Sequence, residues 1–310
     1  MISVKKLAKN FKNIEAVRNI SFTVKPGEIF GLLGPNGAGK TTTVGMLTSE
    51  VKPTSGEAFV NNINVSENPL AVKKQIGVIP QHRSLDRRLT GRANIQVMAR
   101  AYGVPDIKNR IEKVLALTEL EGQIDSLITT YSGGMLQQLL IARALVHDPE
   151  IIFLDEPTIG LDPRARRNIW DKIENLKEDG KTFLLTTHYM EEAEVLCDRV
   201  AIMNRGKIIQ SGTPEKLKEM DTTDSVIIIE MKDIPDLFVK KVKNIPKVKK
   251  VFISYSNRVP MLCVYVKEGR KFVPRIVEFL RENELSVFSL DVRESTLEDV
   301  FTNLTGESLE

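Results

Sequence analysis

A nine-residue segment near the N-terminus constrains the fold more than any other part of the chain. It consists of Gly34, Pro35, Asn36, Gly37, Ala38, Gly39, Lys40, Thr41 and Thr42. The pattern of Gly, four residues and Gly-Lys-Thr lets successive backbone N–H groups converge on a phosphate. Segment 28–33 before it predicts a short buried strand, and residues 42–47 after it predict a helix whose N-terminus favours anions. We therefore predict a phosphate-binding loop between a strand and a helix, with a chance glycine-rich turn as the alternative.

Two side chains at the end of this segment carry the expected chemistry. Lys40 brings a positive charge to the β- and γ-oxygens of a nucleotide. The hydroxyl of Thr41 is a ligand of the type that Mg²⁺ prefers.

A second segment supplies the carboxylates that such a site needs. The four apolar residues 151–154 predict a central parallel strand, which delivers Asp155 at its carboxyl end. Ligands bind at that edge in open α/β sheets. Asp155 is predicted to orient Mg²⁺, and Glu156 to polarise the attacking water as a general base. The structural alternative is a pair of acids that only ends a strand.

Three weaker signals lie between and after these segments. Ser132, Gly133 and Gly134 precede a helix, where a serine and two glycines form a second anion cradle. Gln81 and His188 each follow a short apolar segment, from which they can sense the metal, the water or a γ-phosphate. Each residue taken alone is commonly structural, so their order along the chain carries the argument.

In this order the segments resemble the nucleotide-binding subunit of ATP-binding cassette (ABC) transporters over about residues 2–217. The matching elements are the phosphate loop, Gln81, Tyr131-Ser132-Gly133-Gly134-Met135, Leu154-Asp155-Glu156-Pro157, Gly160-Leu161-Asp162-Pro163 and Thr187-His188. The resemblance implies an α/β fold, a P-loop ABC ATPase cassette with a mixed sheet core and a helical subdomain.

The same resemblance implies the cofactors, ATP and Mg²⁺, and the residues that bind them. Loop 34–42 holds the phosphates, and Phe11 falls where the family places an aromatic ring that stacks on adenine. Thr41, Gln81 and Asp155 are the implied metal-binding residues. The implied catalytic residues are Glu156, His188 and Gln81.

The family mechanism requires partners. Two cassettes pack head to tail, so Ser132, Gly133 and Gly134 would act on the nucleotide of the opposite cassette, and Asp162 would communicate across the interface. One phosphate loop per chain implies a homodimer or a heterodimer. A separate polytopic membrane permease is implied as well. The helical subdomain, about residues 84–150, would receive it. In the family a groove of this subdomain binds a short helix of the permease, and the candidates to line it are Leu85, Leu89, Met98 and Tyr102. The alternative is that these four residues form the core of the subdomain.

Two departures from the family pattern concern these interfaces. Met135 stands where relatives often have Gln, and Leu136, Gln137 and Gln138 stand where basic residues are common. The reduced positive charge near the opposite phosphate affects how tightly two cassettes would enclose ATP. Ala93 replaces a frequent Glu in the region that faces the membrane partner.

Composition narrows the class of function. The net charge is +3, and residues 221–310 carry 14 Lys and Arg against 15 Asp and Glu. This is not the basic excess of a nucleic-acid-binding domain, so no nucleic acid is expected. No apolar run approaches 18 residues, so we expect no segment to span a bilayer and a cytoplasmic location. The family resemblance further implies a protein peripheral on the cytoplasmic face of the cell membrane. Cys197 and Cys263 are predicted to be packed thiols.

The sequence predicts two domains, a nucleotide-binding domain at residues 1–220 and an accessory domain at 221–310. The order βαββαβ in the second predicts a small α+β, ferredoxin-like fold. Its tail has an apolar stripe at 297–304 that docks on its own domain or contacts a partner. This tail and segment 155–163 resemble the daunorubicin-resistance (ABC-2) exporter branch. The alternatives are a soluble ABC ATPase acting on ribosomes or DNA, and a regulatory ATP-binding module.

Overall fold

The structure is a computed structural model that describes residues 1–81, 84–220, 225–256, 259–267, 269–283, 285–294 and 296–305. The chain divides into two compact units, Met1–Thr213 and a second that begins at Pro214. The sequence predicted the division at residue 220. None of the helices in the described ranges is long and apolar enough to cross a membrane.

The first unit is built around a six-stranded mixed sheet. Its strands are, in spatial order, β10 (Lys207–Gly212), β9 (Arg199–Asn204), β3 (Ile29–Leu33), β8 (Thr182–Thr187), β7 (Ile151–Asp155) and β6 (Ile76–Ile79). All neighbours are parallel except β10 and β9. Every residue of β3, β7 and β8 is buried. Near-continuous apolar runs are typical of parallel strands that are covered on both faces.

A second, antiparallel sheet comes from the N-terminal part of the chain. Its strands are, in spatial order, β2 (Ile14–Val24), β1 (Ile2–Phe11), β4 (Ser55–Val60) and β5 (Ile63–Asn64). Buried side chains of β1 and β2, such as Leu7 and Val17, belong to the same apolar cluster as Phe30 and Leu32 of β3. The rings of Phe22 and Phe30 stack at 5.1 Å between centroids and join the two sheets.

Seven α-helices belong to the described part of the first unit. They are α1 (Lys40–Leu47), α2 (Pro69–Gln75), α3 (Gly91–Ala101), α4 (Ile107–Thr118), α5 (Gly133–Leu145), α6 (Pro163–Glu178) and α7 (Met190–Leu196). Helices α3, α4 and α5 contact one another and form the helical subdomain that the sequence predicts for about residues 84–150. The side chains of Thr90, Asp106, Ser132 and Asp162 cap the N-termini of four of these helices.

The second unit has the predicted βαββαβ order, with one helix before it and one after it. Its elements are α8 (Pro214–Met220), β11 (Ser225–Met231), α9 (Asp236–Lys243), β12 (Val248–Ser256), β13 (Val259–Val266), α10 (Gly269–Glu282), β14 (Val287–Glu294) and α11 (Leu297–Thr305). The antiparallel sheet has the order β12-β13-β11-β14, which is the ferredoxin-like arrangement. The polar segment 221–224 predicts a linker, and residues 256–258 predict the turn of the hairpin. Residues 221–224 and 257–258 lie outside the described residues.

Helices cover both faces of this sheet. Apolar residues of α9 and α10, such as Phe238 and Phe272, pack in one cluster with Val264. On the other face Tyr265 donates a hydrogen bond to Asp299 of α11 at 2.5 Å. Helix α8 contacts α11, which explains why it belongs with the second unit.

The tail helix α11 docks on its own unit, which is one of the two alternatives that the sequence left open for the apolar stripe at 297–304. Leu297, Val300 and Phe301 are buried, whereas Leu304 is 45% exposed. Thr296 precedes α11 and forms reciprocal hydrogen bonds with Asp299. Ser295, which the spacing to Glu298 also predicts as a capping residue, lies outside the described residues.

Candidate active site

Four loops meet at one edge of the central sheet. Strands β3, β8, β7 and β6 are parallel, so their carboxyl ends lie side by side. The loop 34–39 follows β3, His188 follows β8, Glu156 follows β7, and Gln81 lies two residues beyond β6. This edge is where ligands bind in open α/β sheets.

The loop after β3 requires glycine at specific positions. Gly39 has φ +100°, and a methyl group there would lie 2.5 Å from the carbonyl oxygen of Ala16. A methyl group on Gly34 would lie 2.1 Å from the carbonyl oxygen of Met203. The backbone is therefore pressed against neighbouring strands, and the glycine-rich turn before the N-terminus of α1 forms a cradle of phosphate-binding type.

Lys40 is buried at the start of α1, and its ammonium group faces the same cradle. Its Nζ donates to the carbonyl oxygens of Gly34 at 2.7 Å and Pro35 at 3.2 Å. It also lies 3.3 Å from Oε1 of Glu156. Burial lowers the pKa of Lys40, while the charge of Glu156 acts in the opposite direction.

Asp155 is the last residue of β7, and two hydroxyl groups hold its carboxylate. Oδ1 accepts hydrogen bonds from Thr186 Oγ1 at 2.5 Å and from Thr41 Oγ1 at 3.2 Å. Burial raises the pKa of Asp155, and these two hydrogen bonds oppose that effect. A carboxylate and a hydroxyl oxygen therefore stand next to each other at the mouth of the phosphate cradle.

Glu156 adopts a left-handed backbone conformation with φ +51°, which is uncommon for residues other than glycine and clusters at functional sites. Its N–H is held by both oxygens of Thr186, the carbonyl and the hydroxyl, each at 3.1 Å. The buried carboxylate then lies between two basic groups. Oε1 faces Lys40, and Oε2 lies 2.9 Å from Nδ1 of His188.

His188 sits at the rim of the site. Its side chain is 24% exposed, and its ring contacts that of Tyr189 at 4.1 Å between centroids. The contact with Glu156 lacks the alignment of a hydrogen bond, and within the described residues Oε2 and Nδ1 have no other hydrogen-bond partner. The structure thus brings together Lys40, Asp155 and His188 around Glu156.

The remaining predicted residues lie outside this contact network. Gln81 is half-buried, and the two residues after it are not described. Phe11 ends β1 and is 45% exposed, and Nζ of Lys9 lies 4.7 Å from the centroid of its ring. A flat, exposed aromatic surface beside a cation is suited to stacking with a base.

The segment Ser132–Gly134 does not join the phosphate loop of its own chain. Ser132 is exposed, its oxygen atoms accept hydrogen bonds only from α5, and none in the described part of the chain reaches the loop. A methyl group on Gly134 would lie 3.4 Å from Cβ of Ala165, so this helix start packs against α6. Asp162 accepts hydrogen bonds from Arg164 N and Ala165 N at the start of α6.

Sequence reasoning missed Thr186, the residue that fixes the carboxylate of Asp155 and the backbone N–H of Glu156. A signal was present, because Thr186 and Thr187 are hydroxyl residues at the end of the otherwise apolar segment 183–187. A buried hydroxyl at the carboxyl end of a central strand needs a polar partner, and the neighbouring strand supplies Asp155.

The donor set fits a nucleotide with Mg²⁺. Within the described residues no group of three His, Cys, Asp or Glu side chains could hold a metal. A single carboxylate with a nearby hydroxyl is the arrangement that Mg²⁺ accepts when phosphate oxygens and water complete its shell. Thr41 and Asp155 provide that pair next to the cradle.

Comparison with known proteins identifies the family. The ABC transporter family profile matches residues 17–159. The chain is 34% identical over 311 residues to the linearmycin resistance ATP-binding protein LnrL of Bacillus subtilis (strain 168), covering 100% of this chain and 99% of that protein. The chain belongs to the ABC transporter ATP-binding proteins. The predicted family and fold class are thereby confirmed.

Two further similarities extend this result. The Nod factor export ATP-binding protein I of Rhizobium sp. (strain N33) is 38% identical over 304 residues, which cover 97% of this chain and 96% of that protein. The dimeric structure of a post-hydrolysis state of the ATP-binding cassette MJ0796, bound to ADP and Pi, has a TM-score of 0.64 and 28% identity. It covers 69% of this chain and 98% of that chain. The cassette binds ATP and is an ATPase, a subunit of an ABC transporter with export-type relatives.

Proposed function

We propose that this cassette hydrolyses ATP to drive export through a separate polytopic permease, from the cytoplasmic face of the membrane. The observation that carries the catalytic part is the position of Glu156, whose carboxylate lies between Lys40 and His188 at the mouth of the phosphate cradle. The export part is supported by relatives whose names describe linearmycin resistance and Nod factor export.

ATP binding is assigned to loop 34–42 and Phe11. The N–H groups of the loop and the N-terminus of α1 cradle the phosphates. Lys40, now held by the carbonyl oxygen of Gly34, has the reach to turn its ammonium group towards the β- and γ-oxygens. The exposed ring of Phe11 offers its face to adenine.

Metal binding is assigned to Thr41, Asp155 and Gln81. Thr41 Oγ1 and Asp155 Oδ1 lie 3.2 Å apart and would share one ion, directly or through its water. Gln81 leaves the neighbouring strand on the same edge of the sheet. When bound, Mg²⁺ neutralises charge on the phosphate oxygens.

Hydrolysis is assigned to Glu156, with His188 and Gln81 beside it. Glu156 accepts a proton from the attacking water at a carboxylate oxygen. The backbone N–H of Glu156 donates hydrogen bonds to both oxygens of Thr186, which hold the residue in place. His188 holds Glu156 from the rim at 2.9 Å and is the residue from which the γ-phosphate is sensed.

The opposite half of each ATP site is assigned to a second cassette. Ser132, Gly133 and Gly134 are partly or fully exposed at the N-terminus of a 13-residue helix, where free N–H groups attract phosphate. Their hydrogen bonds stay within their own helix, which leaves them available to a partner's nucleotide. Asp162 lies on the adjoining helix start and would report closure across the interface.

The membrane partner is assigned to the helical subdomain. Leu85, Leu89, Met98 and Tyr102 are all half-buried, so each leaves apolar surface open. Met98 and Tyr102 line a cavity of about 240 Å³ between α3 and the end of β6. A short helix of the permease would place apolar side chains there.

The test of hydrolysis uses Glu156→Gln. This variant is expected to bind ATP normally and to lose turnover by about 10²–10⁴-fold, because the amide no longer accepts the proton. The matched control is Glu28→Gln, a buried glutamate that pairs with Arg199 away from the site. Near-normal turnover in Glu156→Gln would remove it from the base role.

The same variant tests the partners. In the presence of ATP, Glu156→Gln is expected to form dimers, and Ser132→Glu in that background is expected to prevent them by repelling the opposite phosphates. Tagged Glu156→Gln chain, recovered from detergent-solubilised membranes of its own host, is expected to carry one polytopic membrane protein. Recovery of ribosomes, nucleic acid or only soluble proteins would overturn the transport assignment and retain the ATPase.

A further inference from the structure

A fully buried carboxyl group lies behind the active site and has no part in the reaction described above. Glu192 on α7 is 0% exposed. Its Oε1 accepts hydrogen bonds from Thr158 Oγ1 at 2.8 Å and from Trp170 Nε1 at 3.0 Å. Thr158 belongs to the loop between Glu156 and α6, and Trp170 belongs to α6 itself. One carboxyl oxygen therefore joins three separate segments of the chain.

The helix that carries Glu192, α7, begins two residues after His188, with Tyr189 between them. Thr187 Oγ1 accepts a hydrogen bond from Tyr189 N at 2.9 Å, and Ala193 N donates to Tyr189 O at 3.3 Å. The ring of Tyr189 contacts the ring of His188 on one side and the guanidinium of Arg166 at 4.6 Å on another. The position of α7 thus determines where the imidazole of His188 lies.

Burying a carboxyl group is costly, and this one is only partly compensated. Burial raises the pKa of Glu192, against the hydrogen bonds from its neighbours and the charge of Arg166. Its Oε2 and the Nε of Arg166 are both buried without a hydrogen-bond partner among the described residues. An apolar residue would avoid this cost, so the carboxyl group contributes more than packing.

We propose that Glu192 is a positioning residue for ATP hydrolysis. It ties the loop that leads from Glu156 to Asp162 to the turn that presents His188, so that the imidazole faces Glu156. The inference rests on the proposed roles of Glu156 and His188. It extends these roles by naming the side chain, Glu192, that couples the loop before Asp162 to the turn that carries His188.

The test compares Glu192→Leu with Glu192→Gln in the full chain. Leucine removes both hydrogen bonds, whereas glutamine keeps an acceptor oxygen for Thr158 and Trp170. Glu192→Leu is expected to lower kcat at least tenfold, with the KM for ATP within about twofold of the parent. Glu192→Gln is expected to restore kcat to within about twofold. A glutamine variant as impaired as the leucine variant would overturn the proposal.

The matched control for stability is Glu28→Leu. Glu28 is also buried, accepts a hydrogen bond from Lys25 N at 2.6 Å and pairs with Arg199, but lies before β3 at the far end of the strand. We expect it to lower the melting temperature and leave kcat unchanged. If Glu192→Leu loses no more kcat than Glu28→Leu, Glu192 is only a stabilising residue.

A double-mutant cycle with His188→Ala distinguishes positioning from general damage. If Glu192 acts through His188, the double variant has the kcat of His188→Ala alone. Multiplied losses would contradict the proposal. The Glu156→Gln variant tests the proposed function independently of this inference. Near-normal turnover in that variant refutes the base role of Glu156, whatever the kcat values of the Glu192 variants.

Discussion

Replacing Thr186 with Val tests the hydrogen bonds that fix the carboxylate of Asp155 and the backbone of Glu156 in the active site. The Thr186 hydroxyl donates to Asp155 Oδ1 at 2.5 Å and accepts from Glu156 N at 3.1 Å. Valine has nearly the same shape and lacks the hydroxyl. Glu156 N keeps a second acceptor, the carbonyl oxygen of residue 186, also at 3.1 Å. The substitution therefore removes mainly the hydrogen bond to Asp155.

The expected magnitude follows from burial and charge. Thr186 is 0% exposed, and a hydrogen bond to a charged group contributes about 1.5–3 kcal/mol to stability. We expect Thr186→Val to lower the free energy of unfolding of the first unit by about 2–3 kcal/mol. Thr182 is the matched control on the same strand, because its hydroxyl accepts one neutral hydrogen bond, from Gly27 N at 3.0 Å. Thr182→Val should cost about 1 kcal/mol.

Two assays separate stability from function. Urea unfolding followed by tryptophan fluorescence reports the first unit, since Trp170 is the only tryptophan in the sequence. The Mg²⁺ dependence of ATP turnover reports Asp155. The Thr186 hydrogen bond favours the charged form of Asp155, so its loss raises the pKa of Asp155 further. Thr186→Val should need more Mg²⁺ for half-maximal turnover, and Thr182→Val should not.

The reasoning is refuted if the two valine variants lose the same stability and share the parental Mg²⁺ dependence. The hydroxyl of Thr186 would then be a buried polar group with no influence on the metal-binding carboxylate.

Three further predictions concern Gly39, Asp155 and Asp299. Gly39→Ala should weaken ATP binding more than tenfold in a nucleotide titration, because φ is +100° and the methyl group would meet the carbonyl oxygen of Ala16. Burial raises the pKa of Asp155, so Mg²⁺ affinity, measured by calorimetric titration, should fall as the pH drops from neutral towards the ordinary value of 3.8. Although burial opposes it, Arg293 holds the pKa of Asp299 below 3.8, so this carboxylate stabilises the fold above that pH. Asp299→Asn should lower the melting temperature at neutral pH, and the difference should shrink as acidification protonates Asp299.

Much of the site followed from local sequence. The glycine pattern predicted the phosphate loop, and apolar segments ending in polar residues predicted where Asp155, Glu156 and His188 stand. The sequence placed Asp155 at the ligand-binding edge of a parallel sheet, and the sheet order and contacts bring Glu156 and His188 together at that edge. The N-terminal antiparallel sheet had no separate prediction, because its alternating strands do not indicate which sheet they join.

Sequence alone determined the family, the type of loop and the chemical groups of the site, since these depend on residue type and short-range spacing. The tertiary structure decided which atoms meet. Thr186 reaches Asp155 across 31 residues, and Glu192 reaches Thr158 across 34. It also decided that α8 belongs to the second unit through its contact with α11. Contacts of this kind depend on how strands and helices pack in three dimensions, and no local periodicity encodes that packing.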